Sequence, residues 1–135
     1  MKLNISLNDT LEIDEVISLY KAVGWSSAEK PDLLIQALRN SDALVTARDS
    51  GKLVGLGNSI SDGYMVVYYP HFVVHPDYQR QGVGRAMMER LQEKYASFHQ
   101  QMIVADAEAI SFYKSLGFYR AGKTEPLWIF DGDEH

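Results

Sequence analysis

The sequence predicts a mixed α/β domain in which one sheet is flanked by helices. Three observations carry that expectation. Stretches of period-two alternation and β-branched residues recur along the 135-residue chain. Between them lie segments whose apolar residues repeat at helical spacing. No internal repeat, linker or low-complexity tract divides the chain, so residues 1–135 are expected to form a single domain.

Each element has its own reason. Leu3, Ile5 and Leu7 alternate with polar neighbours, as in a half-buried strand. Asp9 or Thr10 is positioned to cap a helix carried by Ile13, Val16, Ile17 and Tyr20, which the stretch from Gly24 to Ser27 interrupts. Pro31 suits the first turn of a second helix, where its missing N–H has no helical partner to lose. Residues 43–48 and 52–60 read as strands joined by an Asp49-Ser50-Gly51-Lys52 hairpin turn. Residues 64–74 read as another strand, with Pro70 marking a bulge or an edge because it cannot donate to the ladder.

A helix is predicted from Gly82 to about Tyr95, with Val83, Met87 and Leu91 at steps of four. Residues 101–106 are a short buried strand, and residues 107–118 a helix stopped by Gly117. Residues 125–132, Glu-Pro-Leu-Trp-Ile-Phe-Asp-Gly, read as a last strand, followed by a frayed acidic end. The order is βααβββαβαβ, with one more short strand between Tyr119 and Gly122 left open.

Composition removes several function classes. The absence of cysteine excludes a disulfide scaffold, a zinc ribbon and a thiol nucleophile, and it fits a cytoplasmic protein. No apolar run approaches the roughly 18 to 20 residues that span a bilayer, and the N-terminus lacks the apolar centre of a signal peptide, so no membrane partner is expected. A net charge of −5 argues against nucleic acid and suits a cationic small substrate. His71 and His75 are four apart, but neither His99 nor His135 has spacing for a third ligand, so no metal is expected.

The informative stretch is Gln79-Arg80-Gln81-Gly82-Val83-Gly84-Arg85, where a strand gives way to a helix. It is neither a P-loop, which needs G-x-x-x-x-G-K-[ST], nor a dinucleotide fingerprint, because Met87 stands where a third glycine belongs. A helix start here offers unpaired N–H groups and the positive end of the helix dipole. Glycines leave the backbone open to approach, and Arg80 and Arg85 supply positive charge. Those are the parts of a pyrophosphate cradle. The competing reading is an ordinary glycine-rich helix entry with solvated arginines.

Gln79-x-x-Gly82-x-Gly84 resembles the acetyl-CoA-binding motif [RQ]-x-x-G-x-[GA] of the GNAT superfamily of N-acetyltransferases. A second segment, Phe112-Tyr113-x-x-x-Gly117-Phe118, resembles that family's F-Y-x-x-x-G-F helix, and the likeness runs in element order from about Ala43 to Gly122. Residues 32–55 further look like the small arylalkylamine or serotonin N-acetyltransferases.

The resemblance implies a GNAT-like central mixed, mostly antiparallel sheet and acetyl transfer from acetyl-CoA to a primary amine by direct attack in a ternary complex. It implies that the strand at Val73 and Val74 opens an edge to the coenzyme, with the N–H near Val74 facing the thioester oxygen. Gln79, Arg80, Gln81, Gly82, Val83, Gly84 and Arg85 would hold the pyrophosphate, and Lys114 would lie near the adenosine phosphate. Tyr113 is the implied proton donor to the leaving thiolate, and a homodimer is a further expectation.

His71, on one strand face with Tyr69, is a candidate base, set against the reading of a satisfied structural histidine. Trp25, Asn58, Asp62 and Tyr64 are candidates for the acceptor pocket, with Asp62 attracting a cationic amine. Two other classes compete with the enzyme of small amines. One is a coenzyme A-binding regulatory module without efficient catalysis. The other is an N-acetyltransferase of proteins or peptides.

Overall fold

A computed structural model describes residues 1–132 of the chain. Its elements are β1 (Leu3–Leu7), α1 (Ile13–Val23), a 3-10 turn at Ser26–Glu29, α2 (Pro31–Arg39), β2 (Ala43–Asp49), β3 (Lys52–Ser61), β4 (Val66–Tyr69), β5 (Phe72–Val74), α3 (Val83–Lys94), β6 (Gln100–Ile103) and α4 (Ile110–Ser115). The strands form one open sheet in the order β1-β2-β3-β4-β6, with β5 also paired to β3. Every pairing is antiparallel except β4–β6. The expected mixed, mostly antiparallel sheet flanked by helices is present.

Two apolar layers sandwich the sheet. On one face α1 and α2 bury Val16, Leu19, Tyr20, Leu34 and Leu38 against Leu44, Leu56 and Val73. On the other, Val83, Met87, Met88 and Leu91 of α3 meet Val45, Ala47, Val54 and Val67, joined by Tyr113 of α4. Covered on both sides, the middle of β2 and β3 is a continuous buried run rather than an alternating one. Each large aliphatic side chain removed from water there contributes about 1.5–3 kcal/mol.

The β2–β3 hairpin turns as expected, through Ser50 and Gly51 at positive φ. The strand expected over residues 64–74 divides at Pro70. Ile60 of β3 faces Tyr68, whereas Gly57 faces Phe72, so one extra residue lies on the β4–β5 side. This is a β-bulge at a residue that has no N–H to give the ladder. Asn58 closes the gap from β3: its N–H donates to the His71 carbonyl at 3.0 Å, and its side-chain Oδ1 accepts the His71 N–H at 2.9 Å.

Three expectations are corrected. The cap of α1 is Glu12, whose N–H donates to Glu15 at 3.0 Å; the Asp9 carboxylate instead binds Thr46 and Arg48 of β2. Residues 125–132 form no strand, and neither do residues 119–122. Pro126 breaks the ladder pattern, and Leu127 and Ile129 face solvent with no neighbouring backbone to pair with. The frayed acidic end falls on residues 133–135, outside the described residues. No described helix is long and apolar enough to cross a membrane.

Arg48 ties the start of α1 to the sheet. Its Nε donates to Asp9 at 2.8 Å and its two Nη atoms donate to the two Glu15 oxygens at 2.8 Å each. It also donates to the Thr10 and Gly51 carbonyls. The Arg48 hydrogen bonds hold both carboxyls below their ordinary range, against a smaller opposing effect of burial. Groups with depressed folded-state pKa contribute stability that is full above the unfolded value and lost as pH falls through the folded one. Arg48→Ala is therefore expected to cost about 1–3 kcal/mol in urea unfolding at neutral pH. Its stability is expected to fall less steeply than that of the wild type when pH drops below about 4.

Candidate functional site

The bulge at Pro70 swings β5 away from β6, because β6 runs beside β4 only as far as Tyr69↔Ile103. One edge of β5 is thereby left open. The His71 carbonyl and the His75 N–H bond to β3, which places the backbone of residue 73 in the same phase. By the alternation of an antiparallel ladder, the N–H groups of Phe72 and Val74 point away from β3, into the gap. Val73 is thus committed to β3 and to the core, whereas Val74 and Phe72 offer the edge. The Gln79 side chain reaches back to donate to the Val74 carbonyl at 3.1 Å, tying the strand end to the following turn.

That turn leads into α3. Gly82 is the N-cap at φ 83°, and its carbonyl accepts the Ala86 N–H at 3.0 Å, the first bond of the helix. The N–H groups of Val83, Gly84 and Arg85 therefore precede the helical ladder, no side chain caps them, and no acidic residue lies in the first turn. Arg80 is exposed beside them at φ 62°. Arg85 is turned to α4, where it donates to Ser115 at 2.9 Å, with Glu89 at 3.7 Å. Gln81 donates to the Asp77 carbonyl and shapes the loop.

The two glycines serve different needs. An added Cβ at Gly82 would meet nothing within 4 Å, so glycine is there for its left-handed backbone. At Gly84 an added Cβ would lie 3.1 Å from Cζ of Phe112, so glycine lets α3 approach α4. Val83 is buried and anchors the turn.

Four tyrosines are buried: Tyr20, Tyr69, Tyr95 and Tyr113. Three have committed hydroxyls. Tyr20 bonds His71 Nδ1 at 2.7 Å, Tyr69 donates to Gln101 at 2.7 Å, and Tyr95 is held between Asp42 and Ser59. The Tyr113 hydroxyl makes no hydrogen bond to any described residue, and Tyr113 lines a cavity of about 280 Å³ with Val74, Gln79 and Phe72. Burial pushes its phenol above the ordinary tyrosine value, and the charge of Asp106 adds to the shift. It stays protonated throughout the neutral and mildly alkaline range.

A second cavity, of about 730 Å³, adjoins the first. Val23, Trp25, Val104, Asp106 and Glu108 line both. Tyr68 and the Pro126–Trp128 segment complete the larger one. Of the four residues expected at an acceptor pocket, only Trp25 is brought here. Asn58 is spent on the bulge and on Ser41, where its Nδ2 donates at 2.9 Å. Asp62 accepts the N–H groups of Tyr64, Met65 and Val66 in the β3–β4 turn, which lowers its pKa. Tyr64 lies exposed on that same turn.

His71 lines neither cavity. Its Nδ1 shares a hydrogen bond with the Tyr20 hydroxyl at 2.7 Å, and burial keeps that phenol protonated. His71 is thus held by Tyr20 behind Pro70 and Phe72, which line the smaller cavity. Lys114 is exposed on α4, next to Tyr113. Among the described residues no group of three or more His, Asp or Glu side chains is placed to hold a metal ion. Sequence reasoning missed Phe72, Tyr68, Asp106 and Glu108; the acidic pair in Ala105-Asp106-Ala107-Glu108, directly before the Phe112-Tyr113 helix, was the available signal.

Comparison with known proteins is consistent along the chain. The family model described as an acetyltransferase (GNAT) domain matches residues 40–120. An uncharacterised N-acetyltransferase (ycf52) of Pyropia yezoensis is 31% identical over 122 residues, spanning 86% of this chain and 70% of the relative. The ribosomal protein bS18-alanine N-acetyltransferase of Escherichia coli is 41% identical over 56 residues, or 38% of each chain. A GNAT-family acetyltransferase structure from Streptococcus pneumoniae superposes with a TM-score of 0.83 at 29% identity, covering 96% of this chain and 99% of that one.

The two glycines can be separated by experiment. Gly82→Ala is expected to cost about 1 kcal/mol through its backbone conformation alone. Gly84→Ala asks the Phe112 ring to give by a few tenths of an ångström, a cost offset by about 1 kcal/mol of helix propensity. Its net effect on stability is therefore expected to be small while the Phe112 and Tyr113 packing shifts. Urea unfolding measures both effects. Near-ultraviolet circular dichroism, which reads aromatic packing, is expected to change for Gly84→Ala and not for Gly82→Ala.

Proposed function

The chain belongs to the GNAT family of acetyltransferases, and on that premise we propose that it acetylates a small primary amine directly, in a ternary complex with acetyl-CoA. Acetyl-CoA, the family's co-substrate, supplies an acetyl group already activated as a thioester. The residues present fit it. The first-turn amides of α3, with Arg80 beside them, suit a pyrophosphate. The open edge of β5 suits an extended amide-bearing arm that adds as a strand would.

The chemistry asks for three things. The thioester carbonyl must be polarised, the amine must arrive neutral, and the departing sulfur must be stabilised. The N–H of Val74 in the gap is the candidate donor to the carbonyl oxygen. Tyr113 is the candidate donor to sulfur, and the observation that carries the proposal is its hydroxyl, alone among the buried tyrosines in lacking a bond to the described protein. As the C–N bond forms and the C–S bond breaks, the amine loses a proton and the sulfur gains one. No described histidine lines either cavity, and in this proposal the proton leaves the amine through water.

A protein or peptide acceptor is the second reading, favoured by the similarity to the bS18-alanine enzyme. Against it, Pro126, Leu127 and Trp128 line one side of the larger cavity, whose volume of about 730 Å³ is of small-molecule size. Thiol release with free amines and with short peptides separates the two.

Tyr113→Phe is expected to lower kcat about 100-fold or more while acetyl-CoA affinity, read by calorimetry, stays within about twofold. Because the phenol is raised, the wild-type kcat is expected to show no alkaline loss attributable to it up to about pH 10. Unchanged turnover in the variant would leave a coenzyme-binding module or a tyrosine-independent transfer as the better account.

A further inference from the structure

The larger cavity carries information about the acceptor that the family does not. Its position makes it the acceptor's room: it shares a neck with the cavity of Tyr113 and Val74, and Trp25, Val104, Asp106 and Glu108 form that neck. The walls combine three aromatic rings, Trp25, Tyr68 and Trp128, with two carboxylates, Asp106 and Glu108. No lysine or arginine lines either cavity. Such a room repels an anionic acceptor, and it holds a cation through both the carboxylates and the ring faces.

A monoamine fits that room poorly. The carboxylates stabilise its ammonium form, and only the neutral amine attacks. The conflict disappears when the acceptor carries two nitrogens. One stays protonated between the carboxylates and the rings, while the other enters the neck neutral. We propose, building on the small-amine reading above, that the acceptor is a diamine or polyamine whose retained ammonium is held by Asp106 and Glu108 against the aromatic wall of this cavity. Asp62, on the far turn, takes no part.

The test uses three probes of equal length that differ only in the tail: cadaverine, n-pentylamine and aminovalerate. Both tryptophans of the chain line this cavity, so intrinsic fluorescence reads occupancy whether or not transfer occurs. In the full-length protein, cadaverine is expected to bind at least tenfold more tightly than pentylamine, and aminovalerate most weakly. High salt is expected to erase most of that preference. Asp106→Asn with Glu108→Gln, checked for folding by circular dichroism, is expected to raise the cadaverine KM at least tenfold and bring the cadaverine-to-pentylamine ratio of kcat/KM close to one.

Equal binding of cadaverine and pentylamine, or preference for aminovalerate, would overturn the proposal even if every probe were acetylated. Selective cadaverine binding without thiol release from acetyl-CoA would instead uphold the site and overturn the transfer reading.

Discussion

The site depends on one irregularity in the sheet. Pro70 withholds an N–H from the ladder, an extra residue enters the β4–β5 side, and Asn58 mends the break with both its backbone and its side chain. Without the bulge, β5 would continue the line of β4 and pair with the chain after β6, burying every backbone group in the ladder. With it, Phe72 and Val74 keep free N–H groups between two packed layers, where water competes weakly. The same divergence opens the smaller cavity and lets Tyr113 reach it from α4. The turn that ends β5 also begins α3, so the open strand edge and the uncapped helix start are neighbours by chain continuity alone. Gln79, bonded to the Val74 carbonyl, fixes the spacing between them.

Around this opening the protein spends its polar groups with a consistent logic. The other buried tyrosine hydroxyls are paired, Tyr20 with His71, Tyr69 with Gln101 and Tyr95 with Asp42 and Ser59. The Tyr113 hydroxyl instead stands unbonded to the described protein at the wall of the smaller cavity, where a polar ligand can reach it. Asp106 stands beside it, raising the phenol further and lining the larger cavity as well. On the proposed reading, one carboxylate links two requirements of amine acetylation: keeping the acid protonated and drawing in a cationic substrate.

Much of this was legible in the sequence where the signal is local. Pro70 in a β-branched run, Gly82 at a helix start and Gly117 after a short helix act through neighbouring backbone geometry, and each stands at the expected bulge, helix start or helix end. Two features were not legible, because the deciding contact is distant in sequence. Residues 125–132 have strand composition, but a strand exists only with a partner, and these residues have none among those described; Pro126, Leu127 and Trp128 line the larger cavity instead. Asp62 and Asp106 are both aspartates near strand ends, and only the three-dimensional packing shows that one caps a turn while the other faces a cavity. Glycine was also given one role where two exist, since the crowding at Gly84 comes from a ring 28 positions away.

The central claim is that the open β5 edge and the start of α3 together take acetyl-CoA, and backbone amide shifts in solution test it residue by residue. On titration with acetyl-CoA, the amides of Phe72, Val74 and Val83 through Arg85 are predicted to move together, saturating with micromolar-range affinity, about −8 kcal/mol. Those of β1, on the opposite sheet edge, stay in place. Gly82→Glu, which adds a carboxylate at the cradle, is predicted to abolish the shifts while keeping a dispersed, folded spectrum. Saturable binding that leaves Val74 and the first turn of α3 unmoved would contradict the account, as would no binding by the wild-type protein.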